Sequence, residues 1–324
     1  MNKRLVLQLA AAAALALAAI PPALAQAYPN KPIRFVVGFP AGSSIDVVSR
    51  IVLDDIRART NTTMVVENKP GALGAIGVEN VQRSPADGYT LMPSSSATHS
   101  SGPSLGKALQ QLDPVGGLTH VARVARFDIA VVTATSGPHK NAKALVEAGK
   151  AKPDGLTYGY GSGTGQIGSA AFSHAAGIKT RAIPYKGQPA AVTDLLGGQV
   201  DFVSSDLGAI LGFLKQGNLT AMAVLAERRS SFLPNVPTAR EAGLEPIVLG
   251  GWIGIDGPSR LPADVLAWWQ EQLRLTMAAP AVQEKLRTVG MEPALLSGEP
   301  FVKFVETERE RWAGHVKTAG VQAE

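Results

Sequence analysis

The chain contains no cysteine, so it can have no disulfide, no thiolate nucleophile and no lipid-anchoring thiol. Aromatic residues make up only 6% of the sequence, and the basic residues form no blocks. Nucleic-acid binding ordinarily shows a clustered basic face with stacking aromatics, so that class is set aside. The five histidines, His99, His120, His139, His174 and His315, are scattered, and none has the spacing of a metal motif. No stretch combines low hydrophobicity with high charge as disordered segments do, and no internal repeat is present. The one long apolar run, Leu5 to Ile20, falls short of the roughly 20 residues that span a bilayer comfortably.

That run reads instead as the core of a secretory signal. Lys3 and Arg4 precede it, Pro21-Pro22 breaks it, and Ala23-Leu24-Ala25 offers the small residues a signal peptidase needs. Cleavage after Ala25 or after Ala27 fits equally, giving a leader of residues 1–27 and a periplasmic destination. An uncleaved anchor is the competing reading. Losing Lys3 and Arg4 lowers the formal charge from +5 to +3, a weak positive field that suits an anionic small ligand and equally an ordinary basic surface. About 300 residues remain, enough for one large domain or two compact ones.

The remaining chain alternates strand and helix patterns. Pro32 to Phe39 is a nearly continuous apolar run, as buried parallel strands are. Helical spacing follows from Asp46 to Arg59, then a strand at Thr63 to Glu67, a helix running to Arg83, a strand at Tyr89 to Met92 and a polar loop from Pro93 to Ser100. Val121 to Ala134 is a long β-prone run. A second series comprises strand Leu156 to Tyr160, helix Ile167 to Ala176, strand Arg181 to Tyr185, a helix reaching Leu196, and strands Val200 to Ser204 and Ala221 to Ala226. Amphipathic helices near 264–277, 281–289 and 300–317 close the chain. Two β-α-β series with a β-rich crossover imply an α/β protein with two lobes, each a mostly parallel sheet flanked by helices.

Three Gly- and Ser-rich loops stand at strand carboxyl ends, where open α/β sheets bind ligands. In Phe39-Pro40-Ala41-Gly42-Ser43-Ser44-Ile45-Asp46 a helix start can hold a carboxylate on its free N–H groups. The same residues also read as a plain cap, with Ser43 or Ser44 at the N-cap. The second loop, Tyr160-Gly161-Ser162-Gly163-Thr164-Gly165-Gln166-Ile167-Gly168, matches G-x-G-x-x-G. The acidic residue that would hold a ribose is missing, because the next strand ends in Tyr185-Lys186-Gly187; a small anion on backbone N–H groups, Ser162 and Thr164 fits better. Tyr160 could stack on an aromatic acid. In the third loop Lys186 could neutralise an acidic ligand, and Ser94, Ser96 and Asp206 are further candidates at strand ends. A secreted hydrolase using Ser162 or a serine of 94–96 would need a histidine within reach.

The segment Ile183-Pro184-Tyr185-Lys186-Gly187-Gln188-Pro189 through Leu195-Leu196-Gly197-Gly198-Gln199-Val200-Asp201 closely resembles a signature of the tripartite tricarboxylate transporter substrate-binding proteins, the Bug-type family. So do Tyr28-Pro29-Asn30-Lys31-Pro32-Ile33, Phe39-Pro40-Ala41-Gly42, Val66-Glu67-Asn68-Lys69-Pro70-Gly71, Asp87-Gly88-Tyr89-Thr90-Leu91 and Leu233-Pro234-Asn235-Val236-Pro237, in that order. The resemblance implies a periplasmic flytrap of lobe 1 (28–125 and 248–324) and lobe 2 (126–247), with the final helices returning to lobe 1. It implies capture of a small organic anion, a mono- or dicarboxylate, for a membrane permease or alternatively a sensor kinase. No catalysis, cofactor, metal or nucleic acid is expected, and the protein is expected to be a monomer. The ligand would meet Phe39, Ala41, Gly42, Ser43 and Asp46 from the first loop and Gly161, Ser162, Thr164 and Gly165 from the second. Two departures stand out. Ser43 replaces a usual glycine, and Gln166-Ile167-Gly168-Ser169 stands where many members carry a His-Leu pair.

Overall fold

A computed structural model describes residues 28–152 and 155–321; the expected leader lies outside them. The first series runs β1 (Ile33–Val37), α1 (Ser44–Thr60), β2 (Met64–Asn68), a 3-10 turn (Ala72–Gly74), α2 (Ala75–Gln82) and β3 (Thr90–Ser95). Strand β1 lies between β2 and β3 and is parallel to both, which explains its unbroken apolar run. A wide helical turn (Ser96–Ser101) and two short helices, α3 (Gly102–Leu105) and α4 (Lys107–Leu112), lead into β4 (Leu118–Ala134). The expected polar loop 93–100 is therefore the end of β3 plus that turn, and all of it is buried.

Helix α5 (Ala142–Ala151) precedes the second series: β5 (Leu156–Tyr160), α6 (Gly163–Ala176), β6 (Thr180–Pro184), α7 (Gln188–Leu196), β7 (Phe202–Asp206), α8 (Leu207–Lys215) and β8 (Leu219–Val224). Here β5 is the middle strand, parallel to β6 and β7. The chain ends with β9 (Gly250–Pro258), α9 (Ala263–Ala278), α10 (Pro280–Thr288), β10 (Glu292–Ser297) and α11 (Glu299–Thr318).

The two parallel trios are joined by antiparallel strands. Strand β4 is 17 residues long. Its first part pairs with β9 and β10, and its last part, from Ile129, pairs with β7 and β8. Since β9 also pairs with β3, one strand order runs β2-β1-β3-β9-β4-β7-β5-β6. The molecule is thus a two-lobed α/β flytrap in which β4 carries the chain from one lobe to the other. Glycines hide β9 from a propensity reading. The structure needs them: a Cβ on Gly251 would lie 2.0 Å from the Phe127 ring, and one on Gly254 would lie 2.8 Å from Ser94 Oγ.

The final helices return to the first series. Arg59 Nη2 of α1 donates to Thr276 Oγ1 (2.7 Å) and to the Gln272 carbonyl (3.0 Å) of α9, and Thr276 donates to Asp55 (2.8 Å). Val36, Val78, Met92 and Leu109 fill the core of the first series; Val132, Val192, Leu195, Val203 and Ile210 fill that of the second. Among the described residues no helix is long and apolar enough to cross a membrane.

Candidate functional site

The first loop is held from behind. Gly42 adopts φ +78, a region that glycine enters without steric cost, and its N–H donates to Asp46 Oδ2 (3.0 Å). The Asp46 carboxylate also accepts from Arg50 (3.0 Å to each oxygen) and from Asn68 Nδ2 (2.9 Å), while Asn68 Nδ2 reaches the Phe39 carbonyl (3.0 Å). Burial alone would raise the Asp46 pKa, but these donors together hold it below the usual carboxylate range. Asp46 is therefore a brace for the loop. Ser43 stands at the N-cap of α1, but neither serine hydroxyl makes a cap hydrogen bond. Ser43 Oγ donates to the Pro40 carbonyl (2.7 Å), and Ser44 Oγ donates across the cleft to Asp206 Oδ1. The first N–H groups of α1 are left without a side-chain acceptor.

The second and third loops touch through their backbones. A Cβ on Gly161 would lie 2.0 Å from the Gly187 carbonyl carbon, and one on Gly187 would lie 2.7 Å from the Pro40 ring. Gln188 ties the second lobe's strand ends together: its Oε1 accepts from Gly161 N–H (3.1 Å) and its Nε2 donates to the Ser204 carbonyl (3.0 Å). Ser162 caps α6 by accepting from Gly165 N–H (3.2 Å). The G-x-G-x-x-G glycines lie inside α6, and close packing accounts for them. Gly163 faces Ser101, Gly165 faces Gln188 and Ser204, and Gly168 lies against the Ser204 side chain.

These loops enclose a cavity of about 50 Å³, room for a few waters. Of the residues expected to meet a ligand, Phe39, Ser43, Gly161, Ser162, Thr164 and Asp206 line it. Ala41 and Gly42 point to solvent, Asp46 braces from behind, and Gly165 packs beneath. Tyr160 is buried against Tyr158, ring centroids 6.2 Å apart, and is absent from the cavity wall. Lys186 is exposed in an adjoining groove of about 310 Å³ with Gly71–Gly74. The residues that sequence reasoning missed are Ser44, Ile45, Ser95, Ala97, Phe127, Gln188 and Ile253. A larger groove of about 1060 Å³ lies beyond Phe127, but four guanidiniums there are matched by four carboxylates, and no preference for charge results.

Asp206 is the N-cap of α8, its Oδ1 accepting from Ala209 N–H (3.1 Å) as well as from Ser44. Loss of surrounding water raises its pKa, partly countered by those donors. Ser94 and Ser96 lie under the cavity floor. Ser94 Oγ donates to Asp256 Oδ1 (2.7 Å), and Ser96 Oγ accepts from Trp252 N–H (3.3 Å). Asp256 belongs to a sealed cluster that the sequence did not disclose. His120 Nδ1 donates to its Oδ2 (2.7 Å), and His99 Nε2 lies 2.9 Å from that same oxygen. His120 Nε2 faces the Val115 carbonyl (3.0 Å), an obligate acceptor, so both ring nitrogens face acceptors, an arrangement that favours the imidazolium. Burial alone would lower its pKa, but the charge of Asp256 outweighs this and raises it; burial dominates at His99 and lowers it. The cluster lies within metal-ligating distances, but the nitrogens of His120 are already committed. Its serine bonds the carboxylate, and no serine bonds a histidine, so a hydrolase triad is not assembled among the described residues.

Residues 48–321 match the family model described as the tripartite tricarboxylate transporter family receptor. Protein BugT of Bordetella pertussis is 31% identical over 310 residues, covering 93% of each chain. A protein from the gbd 5' region of Cupriavidus necator is 32% identical over 298 residues, 91% of this chain and 90% of its own. Among solved structures, the periplasmic binding protein BugD superposes with a TM-score of 0.84 at 30% identity, covering 92% of this chain and all of its own. Rpa4515 of R. palustris with adipate superposes at 0.87 and 26%, with the same coverage. The chain belongs to the tripartite tricarboxylate transporter receptor family, a family of periplasmic binding proteins.

Proposed function

We propose that this protein captures a small carboxylate between its lobes in the periplasm and delivers it to a membrane permease. The observation that carries this reading is the start of α1. It opens into the cavity without a side-chain cap, among the hydroxyls of Ser44, Ser95, Ser162 and Thr164. Free N–H groups at the positive end of a helix suit a carboxylate, and hydroxyls or bridging waters complete its shell. The adipate held by Rpa4515 is a ligand of this kind. Lobe closure is the working motion, hinged where β4 changes partners beside Asp128; lobe 2 then lies between about residues 126 and 247. Closure requires that the ligand touch both lobes at once.

The test is thermal unfolding of the chain from Tyr28 against a panel of small acids. A ligand at 100 times its Kd adds about 2.7 kcal/mol, a shift of several degrees. A saturable shift with one chemical class is expected. The reading is overturned if no acid shifts the transition and mass spectrometry of the denatured protein releases none. Deletion of the gene should also abolish uptake of the same acid.

A further inference from the structure

We infer that the ring of Phe127 sets the length of acid that the cleft accepts, and confines the wild type to short chains. This deepens the capture reading above and rests on it. The enclosed cavity of about 50 Å³ has room for a few waters, which matches an acid of about two to four carbons and no more. The groove of about 1060 Å³ stands next to it. Among the described residues the linings of the two spaces share a single member, Phe127. Volume for a longer chain is therefore present in the molecule, and one side chain stands at the boundary.

Local geometry explains why the ring lies there. Phe127 on β4 pairs with Gly251 on β9. A Cβ on Gly251 would come within 2.0 Å of the ring's Cζ and 2.1 Å of its Cε2, so the far edge of the ring occupies the space of a side chain at 251. Gly251 lines the groove, and Ile253, two residues on and on the same face of β9, lines the cavity. The ring thus covers the strand where groove gives way to cavity. It is buried, so it is packed in place and does not stand out in solvent. Past it the groove offers Leu225, Phe232, Leu249, Trp252 and Phe304, apolar surface on which a hydrocarbon chain can lie. Each methylene buried there is worth about fourfold in affinity. The ring withholds that gain, and a shorter side chain releases it.

The experiment is calorimetric titration of the wild type, Phe127→Ala and Phe127→Leu with two homologous series. One is the straight-chain monocarboxylates from acetate to octanoate, the other the dicarboxylates from malonate to suberate. Wild-type affinity should peak among the short acids and fall with each carbon beyond them. Phe127→Ala should move the optimum to longer chains, hexanoate to octanoate or adipate to suberate gaining about 10- to 100-fold, the worth of two or three buried methylenes. The short acids lose the ring's contact and should weaken. Phe127→Leu should shift the optimum the same way by less, and carries the test if the alanine variant does not fold; the wild-type profile alone decides if neither does. A purely structural role for Phe127 would weaken every chain length alike. That result, or a wild type that binds long acids as tightly as short ones, overturns the inference and leaves the capture reading standing. Binding of no acid by the wild type or the variants overturns both.

Discussion

Replacing Asp256 by Asn removes one charge from the buried cluster and keeps the shape. In the native protein this fully buried carboxylate accepts from Ser94 Oγ and His120 Nδ1, and lies 2.9 Å from His99 Nε2. Asn offers a single acceptor oxygen. Its amide nitrogen must then face either the Ser94 hydroxyl or the two imidazoles, and His120 keeps its Val115 bond but loses the anion that makes it an imidazolium. Removing one partner of a buried ion pair costs about 3–5 kcal/mol. At roughly 2 °C per kcal/mol for a chain of this size, the melting temperature at pH 7 should fall by about 6–10 °C, read by circular dichroism. The pH dependence adds a second check. The pKa of His120 is raised in the fold, so its contribution is complete below the unfolded value of 6.5 and fades as pH rises through the folded one. The gap between wild type and variant should therefore narrow in alkali. His99, lowered by burial, works on the acid side: the unfolded chain takes up its proton below 6.5 and the native state loses stability there. A loss under about 1 kcal/mol, or a gap that does not change with alkali, would refute the assignment of His120 as an imidazolium paired with Asp256.

Two further substitutions probe the loops. Gly161→Ala places a methyl 2.0 Å from the Gly187 carbonyl carbon and 2.3 Å from the Gln188 nitrogen. Neither can swing aside, so the variant should lose about 1–3 kcal/mol together with ligand binding; calorimetry showing native affinity would contradict the packed-loop account. Asp46→Asn should cost about 1–2 kcal/mol at neutral pH, since charged hydrogen bonds from Arg50 are lost. The pKa of Asp46 is lowered in the fold, so this difference should be full above about 3.8 and close as pH falls through the folded value, as measured by urea titration.

The strands of the two parallel trios and the Gly-rich loops after them were legible because parallel strands buried on both faces print unbroken apolar runs, and glycines mark the turns. The expected strand Leu156 to Tyr160 matches β5 residue for residue. Within the loops, orientation was harder to read. The structure sends Ser94 down to Asp256 and Ser95 up into the cavity, as period-2 alternation requires, but that alternation helps only once β3 is known to extend to Ser95. Asp46 and Lys186 illustrate a different limit. Both stand in loops expected to meet the ligand, yet one is occupied bracing its loop and the other stands outside the wall.

The chain by itself determined its α/β class, its two β-α-β series and its family, because local hydrophobic periodicity and turn chemistry are written in neighbouring residues. Tertiary structure alone decided what the Gly-rich loops can recognise. Ser44 and Asp206 meet across 162 positions, and His120 and Asp256 across 136. Phe127 and Ile253 reach the cavity only because β4 and β9 run side by side beneath it. Charge and solvation depend on which distant groups share a buried space, and only the folded chain brings them together.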